Sequence, residues 1–130
     1  MKNVKLKFEN LYQDFKNIFP QYSDFFCNKE KINSVDDSDG AHISFAFCVV
    51  PFIYKLVDER KDNELKKAFE FFELMASSKD SLISEVVVFT ILENIYTDEK
   101  YLDYLKDFFG ENTKKLIPLL KQFINLKETN

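Results

Sequence analysis

The stretch from Asp80 to Tyr96, DSLISEVVVFTILENIY, carries apolar side chains around its whole circumference, so whatever this chain builds must enclose it. Its β-branched middle, Val86 to Ile91, would also pass for a buried strand, and periodicity alone cannot decide for such a run. Length and punctuation do. No Gly or Pro interrupts Leu82 to Tyr96, a span longer than the usual strand. Asp80 or Ser81 stands where an N-cap accepts an orphan N–H, and Glu85 adds negative charge near the positive end of the dipole. The spacing predicts a central helix in which Leu82, Val86 and Phe89 share a face with Glu93.

The other segments are two-faced and would pack around it. Val4 to Phe19 reads as an amphipathic helix ended by Pro20, followed by a short turn through Tyr22, Phe25 and Phe26. Asn28 to Gly40 reads as a loop, since Asn33-Ser34 and Asp36-Asp37-Ser38-Asp39-Gly40 are turn chemistry. His42 to Arg60 projects as a second covered helix. Its solvent stripe is Ser44, Pro51, Lys55, Asp58 and Glu59, with a bend at Pro51 that leaves a carbonyl to water. Asn63 to Ser77 turns Leu65, Ala68, Phe69, Phe72, Met75 and Ala76 inward and Lys66, Glu70 and Glu73 outward. A further helix from about Asp98 carries Tyr101, Leu102, Leu105, Phe108 and Phe109 to a cap at Gly110. The last, about Thr113 to Leu126, turns Leu116, Leu119, Leu120, Phe123 and Ile124 inward and Pro118 outward.

With 130 residues and only two glycines and three prolines, the chain reads as one all-α domain with few turns. Its 15 Phe and 6 Tyr, with no Trp, make a core of large rings. Short links favour antiparallel neighbours, either as an irregular stack resembling HEAT or armadillo units or as a compact bundle. The amino terminus is charged throughout, and no run reaches the roughly 20 apolar residues of a membrane span, so a cytoplasmic protein is expected. Cys27 and Cys48 read as reduced, buried small hydrophobes. Net charge is -4, and of 18 basic residues only Arg60 is an arginine. That set suits a basic protein partner better than nucleic acid or a membrane.

Candidate chemistry is sparse. Asp36-Asp37-Ser38-Asp39-Gly40 invites a calcium loop, but with Gly40 as the sixth position the first and twelfth ligands would be Val35 and Ala46, which cannot coordinate. His42 could act as base toward Cys48 or Cys27, yet Cys48 lies in an apolar segment that suits packing better than attack. Two Cys and one His are too few for zinc. Glu93, set among apolar neighbours, is expected to be a buried structural carboxylate with a cationic, tyrosyl or helix N-terminal partner. No catalytic residue, cofactor or metal ligand is assigned.

The run FEFFELMASSKDSLISEVVVFTILENIY, Phe69 to Tyr96, places Glu73 near the end of one helix, Asp80 in the link, and Glu85-Val86 and Leu92-Glu93 on the apolar helix that follows. In this it resembles small helical bacterial proteins that include immunity proteins encoded beside polymorphic or contact-dependent growth-inhibition toxins. The resemblance implies a cofactor-free, non-enzymatic protein that binds a cognate toxin domain and blocks its active site or substrate entry. A basic nuclease would be met by carboxylates in place of substrate. The contact residues expected on that reading are Asp36, Asp37 and Asp39 and the helix faces around Glu70, Glu85 and Asp98. The alternative is an adaptor that holds a peptide or helix in a groove, marked by an exposed apolar patch.

Overall fold

The computed structural model describes residues 5–129, with side chains through residue 125; Val4, expected in the first helix, lies outside them. A 3-10 turn, Phe8–Asn10, leads into α1, Leu11–Ile18. Then come α2, Ser23–Asn33; α3, residues 40–58; α4, Asp62–Ala76; α5, residues 81–96; α6, Glu99–Leu105; and α7, residues 111–129. No strand occurs among the described residues.

Several boundaries differ from the sequence reading. The first helix, expected from Val4, has no helical residue between 5 and 7 and becomes α-helical only at Leu11, after the 3-10 turn. Residues 28–33, expected as loop, continue α2, because Lys29, Glu30 and Lys31 are good helix formers and turn chemistry begins only at Asn33-Ser34. Ser34 closes the helix in the left-handed region at φ 55°, with Val35 N–H returned to the Glu30 carbonyl at 2.8 Å. Gly110 is not a C-cap. Its φ of -83° and ψ of 176° make it the N-cap residue of α7, entered from an extended Phe109.

The two apolar helices, α3 and α5, each contain one π turn, at Phe45–Val49 and Val87–Leu92. A π turn takes up one extra residue and so shifts the faces on either side of it by about 100°. This corrects the expected stripe of α3: Ser44 goes inside, whereas Ile43 and Phe47 come out, at 39% and 46% exposure. In α5 it takes Glu93 out of line with Leu82 and Val86. Leu82 is exposed and Glu93 half-buried rather than buried.

Nor is the carbonyl freed by Pro51 left to water. Pro51 has no N–H to return to the Phe47 carbonyl four residues back, and Asn33 Nδ2 donates to that carbonyl at 3.3 Å from the end of α2. In α5, Asn94 Nδ2 donates to the Thr90 carbonyl within the π turn at 2.7 Å. The loss of one such side-chain donor from a partly solvated carbonyl is worth about 1 kcal/mol. Asn33→Ala should therefore lower unfolding stability by about 1 kcal/mol, read as a shift in urea midpoint. The effect should shrink in a Pro51→Ala background, where a backbone donor returns.

α3 and α5 cross at their π turns, and His42 Nδ1 meets Thr90 Oγ1 there at 2.6 Å. α1 and α2 cover one side of α3, α4 lies along both central helices, and α6 and α7 close the far side. α1 touches α4 as well as its sequence neighbours, so the arrangement is a bundle rather than an open stack. At its middle stands Phe15, fully buried, with ring centroids of Phe19, Phe26, Phe45, Phe52, Phe71 and Phe72 between 5.3 and 6.2 Å away. Residues 37–58 do form a helix long and apolar enough to cross a membrane, contrary to the sequence expectation; more than half of its apolar window is buried inside the bundle. Pro118 breaks α7 by a turn at Leu116 and is exposed as expected, but Leu119, expected inside, is 44% exposed.

Glu73 also departs from its expected outward face. Its carboxylate accepts from the backbone N–H of Asn112 at 2.6 Å and of Thr113 at 3.0 Å, and from their side chains at 2.8 and 2.9 Å. A Cβ on Gly110 would collide with this carboxylate. The carboxylate thus pins the start of α7 to α4.

Candidate interaction surface

At the carboxyl end of α3 the chain turns sharply into α4. Lys61 N–H bonds back to the Leu56 carbonyl at 2.9 Å and Arg60 takes the left-handed cap position at φ 56°, where Gly is usual. This turn sets Asp58, Arg60 and Asp62 beside α6. Asp98 caps α6, its Oδ1 accepting from Lys100 N–H at 3.1 Å. Tyr101 and Tyr104, three residues apart on α6, then share the face that looks at the turn.

The contacts across this junction are specific. Tyr54 of α3 stacks on Tyr101 with centroids 4.1 Å apart and an interplanar angle of 17°, and its hydroxyl donates to the Asn94 carbonyl at 3.1 Å. Tyr101 donates to the Asp58 carboxylate at 3.1 Å, and Tyr104 to Asp62 at 2.5 Å. Lys100 Nζ lies 4.9 Å from the Tyr101 ring centre and 3.7 Å from Asp58 Oδ1, while the Arg60 guanidinium lies 5.2 Å from that of Tyr104. Val57, Asp58, Arg60, Lys100, Asp103 and Tyr104 line a hollow of about 460 Å³.

Burial and the neighbouring Asp98 carboxylate raise the Tyr54 pKa. Burial and the bond to Asp58 raise that of Tyr101, and the bond to Asp62, ahead of slight desolvation, raises that of Tyr104. All three hydroxyls are therefore protonated donors at neutral pH. The face is an aromatic platform edged by carboxylates, a composition suited to contact with another protein.

The expected contact residues do not form one surface. Asp36 and Asp39 make a reciprocal capping box before α3: Asp36 Oδ1 accepts from Ser38 N–H at 2.8 Å and Asp39 Oδ2 from Asp36 N–H at 2.8 Å. The hydrogen bonds from Ser38 hold the Asp36 pKa low. Asp37 lines a separate hollow of about 450 Å³ between the 3-10 turn at Phe8–Asn10 and the start of α3. These three stand at the opposite end of α3 from Asp58, about 27 Å along its axis. Glu70 is exposed on α4 and Glu85 half-buried on α5. Asp98 alone among the expected residues belongs to the tyrosine platform.

Sequence reasoning missed Tyr54, Arg60, Tyr101 and Tyr104 as a group. The signal was there in part: Arg60 is the single arginine, and Tyr101 and Tyr104 repeat at helical spacing. His42 and Cys48 are not brought together as base and nucleophile; His42 pairs with Thr90, and Cys48 is buried beside Tyr12, with its thiol pKa raised by burial. Among the described residues no three His, Cys, Asp or Glu side chains converge as a metal site.

The family model of a domain of unknown function, DUF7674, matches residues 12–125. No curated protein and no solved structure matches the chain.

Proposed function

This chain belongs to the DUF7674 family, and we propose that its role is to bind a protein partner through the tyrosine platform of α3 and α6, without catalysing a reaction. The observation that carries this reading is the Tyr54–Tyr101 stack with Tyr104 beside it, rings held by hydrogen bonds to Asn94, Asp58 and Asp62 at a helix junction. Rings fixed in advance lose little side-chain entropy on binding, and Tyr and Arg are among the side chains that most often anchor interfaces. The net charge of -4 favours a basic partner through long-range attraction rather than nucleic acid or a membrane.

The resemblance carried by residues 69–96 makes that partner a cognate toxin domain, neutralised in the cytoplasm by a one-to-one complex that covers its active site or substrate entry. The test is calorimetry of the purified protein with the product of the reading frame immediately upstream, at low and moderate salt. A one-to-one complex that weakens with salt, abolishes the partner's toxic activity, and loses at least tenfold in affinity on Tyr101→Ala is the expected result. Tight binding indifferent to both Tyr101→Ala and Tyr54→Ala would move the interface off this face.

A second reading rests on Ile43 and Phe47, one helical turn apart on α3, and on Ile32, 67% exposed and next to the Asn33 that bonds Phe47. These are exposed large apolar side chains of the kind an adaptor surface uses. Binding lost on Phe47→Ser but not on Tyr101→Ala would select it.

A further inference from the structure

We propose that Arg60 is a contact residue that receives a carboxylate from the partner, in the hollow it lines with Tyr104 and Lys100; this rests on the reading of that face as the binding surface. Arg60 sits at a left-handed cap, φ 56°, a conformation that favours Gly and strains other side chains. Strain of this kind persists where the side chain has a use.

The use follows from how charge is spent around it. Asp58 already accepts from Tyr101 and pairs with Lys100 at 3.7 Å, Asp62 accepts from Tyr104, Asp103 pairs with Lys106 at 3.6 Å, and Asp98 caps α6. Among the described residues Arg60 has no carboxylate within ion-pair distance, although Asp58 and Asp62 flank it by two positions. What the platform of this acidic protein leaves without an ionic partner is therefore a guanidinium, engaged by the Tyr104 hydroxyl and ring alone. Its position is set from below by the Tyr104 ring, which Asp62 holds in place. A planar fork presented this way matches a planar carboxylate in bidentate geometry. A phosphate dianion would add charge opposite Asp58 and Asp103 at the rim of the same hollow. We infer a Glu or Asp side chain of the partner.

The single arginine makes the test direct, because its Nε–Hε group gives one resonance. N-acetylglutamate N-methylamide, titrated at constant ionic strength, should displace that resonance saturably in the millimolar range. The glutamine analogue should not, and inorganic phosphate should bind at least fivefold more weakly. Asp103→Asn should tighten the carboxylate response at least twofold. Equal response to phosphate, or a shift that never saturates, would overturn the proposal. Arg60→Gly relieves the strained cap, so its melting temperature should equal or exceed that of the parent while affinity for the partner falls at least tenfold. If that variant binds the partner normally, the carboxylate contact is excluded; if the carboxylate binds but Tyr101→Ala leaves partner affinity intact, the platform reading fails and the Arg60 site stands.

Discussion

Phe15→Ala should remove about 4 kcal/mol of stability, because a fully enclosed ring leaves a cavity that its neighbours cannot fill. Those neighbours come from four parts of the chain: Phe19 after α1, Phe26 on α2, Phe45 and Phe52 on α3, and Phe71 and Phe72 on α4. Phe72 stacks on Phe15 with an interplanar angle of 8°, so its face loses contact as well as its edge neighbours. Domains of this kind have about 5 to 15 kcal/mol in total, so the variant should sit close to its unfolding midpoint at 37 °C. Urea denaturation checks this: the midpoint falls with an unchanged slope. Phe15→Leu should cost less than half as much. Equal losses for the two would mean that the site tolerates a void and that the ring cluster is not what joins α1 to the bundle.

The second large effect is expected at Glu73. Removing the carboxylate strands two backbone and two side-chain donors at the start of α7, and Glu73→Ala should cost about 3 kcal/mol, since hydrogen bonds to a charged group are worth more than neutral ones. Desolvation raises the Glu73 pKa, but the bonds from Asn112 and Thr113 outweigh it and hold the folded-state value below the ordinary one. Glutamate in the unfolded chain titrates near about 4.3. The stabilisation is thus complete above that pH and is lost as pH falls through the lower folded-state value. Denaturation from pH 6 to pH 3 should show the parent and Glu73→Gln converging as the carboxylate protonates. A constant gap would place the effect in packing rather than charge. Gly110→Ala should destabilise by displacing the same carboxylate, and its effect should not add to that of Glu73→Ala.

Much of the fold was legible because it rests on periodicity. The enclosure of Asp80 to Tyr96, the inward face of α4 and the end of α1 at Pro20 follow from apolar spacing and one proline, and local rules suffice for them. Four of the errors share a cause. A π turn carries no sequence mark, so projecting 40–58 and 81–96 at 100° per residue misplaced Ser44, Ile43, Phe47 and Glu93 together. Glu73 looked solvated because its partners lie 39 and 40 residues downstream, a separation at which no spacing rule operates. The tyrosine platform was hidden for the same reason: Tyr54 and Tyr101 touch across 47 positions, and only the crossing of α3 and α6 brings them together. The acidic stretch at 36–39 drew attention as a contact surface, but the structure spends Asp36 and Asp39 on starting a helix.

Each π turn is, in lineage terms, one residue more than its helix would otherwise have. Helices ordinarily resist insertion, because a single added residue turns every later side chain away from its partners. Here two such additions lie against each other at the crossing of α3 and α5, joined by His42 and Thr90, so each helix's phase is set to the other's. Deleting one residue from 45–49 alone would face Ser44 outward and drive Phe47 into a space already filled. Relatives of this chain should therefore keep both additions or lack both, and a gap inside one of these helices should be matched by a gap inside the other.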